Sequence, residues 1–143
     1  MTFSTRLKEE ICSEDIERVS MFSELSAIIR YDAMIRENTI TLVFENASVA
    51  RRVFKDIKSC FNYSPHIIVR NQKRLRAKQI YILETHEKAE EILERLNIYK
   101  NHQKLKMKRE YLTDPAEMVA YVRGTFLVTG SISDPSTGGY HLE

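Results

Sequence analysis

Two runs of basic residues are the clearest sign of chemistry in this sequence. Five lysines and arginines, and no acid, lie between residues 70 and 78: Arg70, Lys73, Arg74, Arg76 and Lys78. A second acid-free run also holds five: Lys100, Lys104, Lys106, Lys108 and Arg109. Lysine and arginine neutralise phosphate groups, so such runs are typical of surfaces that bind nucleic acid. The net charge is only +2, and ordinary solvated loops are the alternative interpretation.

The sequence holds no recognisable motif for catalysis. There is no HExxH pattern, P-loop or GxGxxG run around the four histidines, which are His66, His86, His102 and His141. Ser131 and Ser133 lie in turn-forming sequence without a nucleophile elbow. Cys12 and Cys60 form no CxxC pair and are expected to be buried thiols in a reducing compartment. We therefore expect no cofactor, no metal and no small-molecule substrate.

Length and composition bound the class of protein. The chain has 143 residues, which fits one domain, or one domain plus a fragment of another. Hydrophobic residues make up 43% and charged residues 29%, a balance typical of a soluble globular protein. No apolar run approaches the roughly 20 residues of a membrane helix, and the charged start MTFSTRLKEEI lacks the core of a secretory signal. The sequence therefore predicts a cytoplasmic protein with no membrane partner.

The first part of the chain predicts helices on either side of a strand. A short helix is expected over residues 3–11, and a longer one over 21–33 with Ser20 as its N-cap. Residues 38–45 alternate between apolar and polar and predict a half-buried strand. Asn46 then caps a helix that reaches Phe61. The outer face of that helix is interpreted as solvated, or as a surface for a protein partner, and carries Arg51, Arg52, Lys55 and Lys58.

The remainder predicts a hairpin and two more helices. The hairpin pairs residues 66–70 with 79–83, and the first basic run forms its long, positive tip. Thr85 opens a helix to about Leu96, and residues 97–110 form a polar connection. A last helix reaches about Val128, since Asp114 suits its N-cap and the following proline suits the first helical position.

Two of the predicted helices share a pattern of small and apolar residues. Leu25–Ala33 and Val122–Gly130 each carry small residues near the start, apolar residues next and a small residue at the end. Small residues at facing positions let two helix backbones approach closely, with a sheet on either side. The residues expected at this helix–helix interface are Ser26, Ala27, Ala120 and Gly124. Residues 140–143 predict the start of a strand, so the second repeat looks truncated.

This pair of helices resembles the LAGLIDADG motif of homing endonucleases. Over nearly its whole length the chain is similar to the N-terminal part of the WhiA family of bacterial sporulation and cell-division regulators. The stretches that carry the resemblance are FSTRLKEEI, ELSAIIR, FENASVARRVFKDIK and YVRGTFLVTGSISDPSTGGYHLE. The resemblance implies an α+β, homing-endonuclease-like fold with helices packed on an antiparallel sheet. It divides the chain into a first LAGLIDADG-like half, residues 1–110, and the start of a second half, residues 111–143, that is truncated.

The resemblance also implies a function without catalysis. It makes the chain part of a nucleoid-associated, DNA-binding transcription regulator of cell division, chromosome segregation or sporulation, built on an endonuclease scaffold that does not cut DNA. Active LAGLIDADG enzymes hold divalent metal through an acid at position eight of each motif, and here those positions are Asp32 and Thr129. Position six holds Arg30 and Leu127, which are not metal ligands. Because only one acid remains, we expect no nuclease activity.

On such a scaffold the concave face of the sheet would contact DNA. The residues expected on that face are Thr39, Thr41, Arg70, Gln79 and Tyr81, with Lys73, Arg74, Arg76 and Lys78 at its rim. Basic side chains would neutralise phosphates, and threonine and glutamine would reach base edges. The alternative is a scaffold without DNA contact that binds a protein partner. DNA binding would then be left to the C-terminal helix-turn-helix domain that the resemblance implies.

Overall fold

The computed structural model describes residues 3–12, 18–72, 78–100, 103–105 and 114–129. Within these ranges the helices are α1 (Phe3–Cys12), α2 (Arg18–Asp32), α3 (Ala47–Phe61), α4 (Ala89–Arg95) and α5 (Pro115–Thr129). The strands are β1 (Met34–Arg36), β2 (Thr39–Phe44), β3 (His66–Gln72), β4 (Lys78–Thr85), β5 (Tyr99–Lys100) and β6 (Gln103–Lys104). None of the helices in these ranges is long and apolar enough to span a bilayer.

Side-chain caps fix where two of the helices begin. The Asn46 Oδ1 atom accepts hydrogen bonds from the backbone N–H groups of Ser48, at 2.8 Å, and Val49, at 3.3 Å. The predicted N-cap of α3 is therefore confirmed, because these bonds satisfy donors that have no partner within the helix. At the start of α5, Asp114 Oδ1 accepts from the N–H of Ala116 at 2.9 Å, which confirms the second predicted cap.

Strands β1 to β4 form one antiparallel sheet in the order β1-β2-β4-β3. The hairpin of β3 and β4 and the strand β2 are confirmed predictions. Strand β1 was not predicted. It joins β2 through a two-residue turn, Glu37 and Asn38, whose φ angles are 45° and 59°. Positive φ at both turn positions matches the twist of a tight hairpin and gives β1 its register, with Arg36 opposite Thr39.

The core lies between one face of this sheet and the helices. Ile40, Leu42 and Phe44 of β2 are almost fully buried on that face, as the alternation predicted. Helices α2 and α3 supply most of the opposing surface, with Leu25 and Val53 completely buried. We call this face of the sheet the helix side, and the opposite one the open face.

The register of β4 corrects one sequence prediction. Leu83 pairs with the buried Leu42, and Tyr81 pairs with Phe44, so the odd-numbered residues of β4 lie on the helix side. The expectation that Gln79 and Tyr81 share the DNA-facing side with Thr39 and Thr41 was therefore wrong. Strand periodicity of two fixes the faces once a single cross-strand pair is known. The even-numbered positions, including Ile80 and Ile82, lie on the open face.

Two further differences lie after β4. Thr85 was predicted to open a helix, yet it is the last residue of β4 and pairs with Ile40. The helix starts only at Ala89, which is fully buried. The predicted polar connection after it holds the short β5–β6 hairpin, in which Tyr99 pairs with Lys104. Two-residue strands carry no periodic pattern, so nothing in the sequence separated them from a loop.

Candidate nucleic-acid interface

Helices α2 and α5 pack closely where two of the small residues meet. A Cβ atom built on Gly124 would lie 3.1 Å from the Cβ of Ala27 and well inside contact distance of the Glu24 carbonyl oxygen. Glycine is therefore required for this approach. Ala120 is 1% exposed in the same helix. The Ser26 hydroxyl points elsewhere, since it donates to the Leu96 carbonyl at 3.0 Å.

A buried charge cluster joins three helices beside this contact. The Glu24 carboxylate of α2 is fully buried and accepts hydrogen bonds from Arg52 Nε of α3 at 3.0 Å and Arg123 Nε of α5 at 2.7 Å. The predicted solvation of Arg52 is therefore wrong: the residue is 4% exposed. Arg52 can be buried because it pairs with the Glu24 carboxylate of α2, and a buried charge needs such a partner. Its neighbour Arg51 is exposed.

Asp56 completes the cluster as a neutral acid. Its side chain is fully buried, and the nearest cation is Arg52, whose Nε atom lies 3.7 Å from Oδ1. Burial, followed by the adjacent Glu24, raises the pKa of Asp56 far above its usual range. Burial opposes ionisation of Glu24 as well, yet hydrogen bonds from Asp56, Arg52 and Arg123 lower its pKa overall. One carboxylate and one carboxylic acid therefore face the two guanidinium groups at neutral pH.

The C-terminal ends of α2 and α5 border a cleft of about 500 Å³. Asp32, at motif position eight, lines it together with Lys8 and Glu45. The Asp32 Oδ2 atom is buried and makes no hydrogen bond with the described residues. Burial raises the pKa of this carboxyl to about 6. The same environment lowers the pKa of Lys8, again through burial.

The residues at motif positions six and eight do not fit the paired divalent ions of a LAGLIDADG nuclease. Thr129, the counterpart of Asp32, donates its hydroxyl to the Thr125 carbonyl of its own helix at 2.7 Å. Arg30, at position six, donates to the carbonyl oxygens of Asn97 and Leu105, both at 2.9 Å. Over the described part of the chain, no three histidine, cysteine or acidic side chains gather as a metal site would require.

The open face of the sheet mixes polar and apolar residues. Thr39 and Thr41 lie on it at one end, and the Thr39 hydroxyl lies 3.2 Å from His86 Nδ1. Toward the other end, exposed Arg70 pairs with Ile80. The middle is apolar, with residues from three neighbouring strands: Val43, Ile68 and Ile82. Val43 is 47% exposed.

One acid interrupts this face. Glu84 pairs with Thr41 on one side and His66 on the other, and its Oε2 atom lies 3.1 Å from His86 Nε2. The basic tip is described only in part: Lys78 pairs with Gln72 through the backbone, and Lys73, Arg74 and Arg76 lie outside the described residues. Nine residues were predicted to bind DNA. Among those whose side chains the structure describes, three lie on the open face of the sheet: Thr39, Thr41 and Arg70.

Two family models match the sequence. The first is described as the WhiA N-terminal LAGLIDADG-like domain and matches residues 18–99, more than half of the chain. The chain belongs to the WhiA family. A second model, described as the WhiA LAGLIDADG-like domain, matches residues 118–143. The family that the sequence resembles is therefore confirmed.

Relatives and solved structures agree with this assignment. "Probable cell division protein WhiA" of Staphylococcus aureus (strain USA300) is 36% identical over 151 residues, covering all of this chain and 47% of the relative. The chain thus spans about half the length of the curated WhiA relatives that it matches. The crystal structure of the N-terminal LAGLIDADG domain of DUF199/WhiA superposes with a TM-score of 0.70 at 23% identity, covering 99% of this chain and 64% of that one.

A second solved structure gives the same fold. Full-length DUF199/WhiA from Thermatoga maritima superposes with a TM-score of 0.64 at 22% identity, covering 94% of this chain and 42% of that one. At these identities the likeness establishes the fold alone. The predicted α+β class, with helices on an antiparallel sheet, is confirmed for this member of the WhiA family.

Sequence reasoning missed the charge cluster of this WhiA-family chain, although part of its signal was present. Asp56 lies on the apolar stripe of α3 that Val49, Val53 and Ile57 define by helical spacing. A carboxyl on such a stripe indicates a buried acid with a partner. Glu24 carried no comparable signal, because its partners come from α3 and α5, far away in sequence.

Proposed function

We propose that this chain is the N-terminal part of a WhiA-type, DNA-binding regulator of transcription. Its proposed setting is cell division, chromosome segregation or sporulation, in the cytoplasm at the nucleoid. The observation that carries the proposal is the open face of the sheet, which no described helix covers and which presents Thr39, Thr41 and Arg70. Strands can enter a groove of DNA, where their polar side chains reach phosphates and base edges.

The basic tip between β3 and β4 supports this proposal through its charge. Lys73, Arg74, Arg76 and Lys78 belong to an acid-free stretch that continues the two strands bearing Arg70 and Ile80. Lysine and arginine there would contact phosphates and set the register on the duplex, while the threonines of β2 would lie nearer the bases.

Salt-dependent DNA binding tests this proposal. The chain is titrated into a fluorescent duplex at several salt concentrations, with Arg74→Ala/Arg76→Ala as the variant. Each lost phosphate contact reduces the slope of log K against log salt by about 0.9. Arg51→Ala serves as the matched control, because Arg51 is exposed on α3, on the other side of the sheet. An affinity and a salt slope that stay the same in the double variant would rule out the tip as a contact.

We propose further that the chain does not cleave DNA. The support is that Asp32 has no carboxylate counterpart at position eight of the second motif, where Thr129 bonds its hydroxyl within its own helix. Two-metal cleavage needs carboxylates from both sides to hold the ions at the reacting phosphate. A plasmid-nicking assay with magnesium and then manganese is expected to leave the plasmid supercoiled. Cleavage that Asp32→Ala abolishes would contradict the proposal.

A second candidate function is a scaffold that binds a protein partner and leaves DNA to another domain. The observation that favours it is the apolar middle of the open face, with Val43 and Ile82, together with the acid Glu84. Neither an apolar surface nor a carboxylate attracts the phosphate groups of DNA. The same titration separates the candidates, since a chain that shows no DNA binding at low salt would support the scaffold.

We also propose that residues 1–110 form a first LAGLIDADG-like half and that a second half starts at residue 111. The support is α5, which packs on α2 through Gly124 and yet exposes apolar side chains on its other side. Val119 and Val122 are 59% and 58% exposed. Such a helix face is typical of an element that a further layer covers.

A further inference from the structure

An apolar groove lies between α3 and the outer edge of the sheet, on the helix side. Its floor and walls come from α3, with Ala50 and Phe54, and from the sheet, with Ile67, Tyr81 and Leu83. The groove has a volume of about 320 Å³. Ile67 is 53% exposed, although its side chain points toward the layer that holds the core. We call this site the β3 groove.

The strand that borders the groove ends the sheet. In the order β1-β2-β4-β3, strand β3 has a neighbour on one side only within the described chain, so its outer backbone N–H and C=O groups face outward. Val69, the next residue of β3 on the helix side, is 52% exposed. Proteins usually protect such edges with charges or proline, because an open apolar edge pairs with other strands. On the helix side, beside the groove, the described edge presents the apolar residues Ile67 and Val69, whereas Pro65 precedes the strand and the charge of Arg70 lies on the open face.

The rim of the groove is basic. Arg51 of α3 lines it and is exposed, with one guanidinium bond to the Ser48 hydroxyl at 3.3 Å. Lys58 is also exposed, and it lies on the same helix row, four residues after Phe54. None of the side chains that line the groove is a carboxylate. The charge therefore favours an acidic occupant.

From these features we propose that the β3 groove binds an extended, acidic segment of a protein partner, which adds to the sheet along β3. Backbone hydrogen bonds to the edge would supply affinity, and alternate apolar side chains would fill the groove. Carboxylates at the ends of the segment would meet Arg51 and Lys58. A second copy of this chain fits less well, because two copies paired along β3 would bring two basic rims together. This inference goes beyond the proposed DNA-binding function and uses a different face.

Two blocked, fluorescein-labelled peptides test the groove. Both alternate valine with threonine over seven residues; one ends in glutamate at both sides and the other in lysine. Fluorescence anisotropy with the 143-residue chain is expected to give saturable binding of the glutamate peptide and none of the lysine peptide. Ile67→Lys should weaken binding at least about tenfold, as for a buried contact at an interface. The double variant Arg51→Glu/Lys58→Glu should reverse the peptide preference.

Val43→Lys is the matched control, because Val43 is similarly exposed, at 47%, on the open face. It should bind the glutamate peptide as the original chain does. Equal binding of both peptides, no binding of either, or equal loss in Ile67→Lys and Val43→Lys would overturn the proposal. Sedimentation equilibrium tests whether a second copy of the chain occupies the groove. A dimer that Ile67→Lys dissociates would assign the groove to a second copy and overturn the proposal.

Discussion

Replacing Gly124 by alanine tests the contact between α2 and α5 with two effects of opposite sign. In an isolated helix, alanine is favoured over glycine by about 1 kcal/mol, so propensity alone predicts a more stable protein. In the folded chain the added Cβ would overlap the Glu24 carbonyl oxygen and lie 3.1 Å from its carbonyl carbon. A backbone group cannot turn away as a flexible side chain would, so the helices must separate.

The size of the effect follows from that separation. Relief of the overlap requires the helices to move apart by about 0.5–1 Å, which forfeits a quarter to a half of the dispersion energy at the contact. Overpacking of this kind costs about 1–3 kcal/mol, and a backbone obstacle places Gly124→Ala at or above the upper end. After the gain in propensity, we expect a net loss of about 2 kcal/mol, or roughly 4–8 °C in Tm for a chain of this length.

Urea and thermal unfolding, followed by circular dichroism, measure this loss. Val122→Ala is the control for propensity, because Val122 is 58% exposed on the same helix. Adding Ala27→Gly to Gly124→Ala should not restore stability, since the Glu24 carbonyl remains in place. If Gly124→Ala is as stable as the original chain or more stable, the close approach of α2 and α5 is wrong.

Three further predictions concern the buried acids and their partners. Arg52→Ala should lower the free energy of unfolding by about 3 kcal/mol or more, because it leaves Glu24 short of a partner, while Arg51→Ala should change it by less than about 0.5 kcal/mol in urea titrations. Asp56 keeps a proton in the folded state that the unfolded chain releases above about pH 4, so stability should fall as pH rises. For one proton, the fall in the free energy of unfolding is at most about 1.4 kcal/mol per pH unit. Asp56→Asn should make this fall smaller in urea titrations from pH 5 to 8, and an unchanged slope would contradict a neutral Asp56. Asp32 has a pKa raised to about 6, so Asp32→Asn should stabilise the chain at pH 8 by about 1 kcal/mol after screening by solvent, and the gain should vanish in thermal melts below about pH 4.

Local patterns predicted much of the fold. The periodic stretches that became α2, α3, β2 and α5 were recognised, and the caps at Asn46 and Asp114 were placed correctly. The predicted cap of α2 was wrong, because the helix begins at Arg18 and Ser20 lies inside it. These features depend on residues close together in sequence. Strand β1 was missed because three residues and a turn of Glu37 and Asn38 carry no periodic signal.

Features that depend on residues far apart in the sequence could not be predicted from local patterns. In β4 both sets of alternate residues are partly apolar, so the choice of face was decided by the pairing of Leu83 with Leu42. Likewise, the sequence near Arg52 shows only other basic residues of α3, and the burial of Arg52 is explained by its pairing with Glu24 of α2. The candidate DNA interface therefore differs from the predicted one: Arg70 lies on the open face as expected, whereas Tyr81 lines the β3 groove.

A single residue, Glu24, meets two consecutive residues of α5. Its carboxylate accepts from Arg123, and its backbone carbonyl lies against Gly124. Each successive helical residue is rotated by about 100°, so one residue inserted or deleted between Glu117 and Arg123 would prevent these contacts and the hydrogen bond from Ser23 to Glu117 from forming together. Length variation among homologous chains should therefore be absent from that stretch, whereas the turn at Glu37 and Asn38 has no such double constraint and should tolerate it.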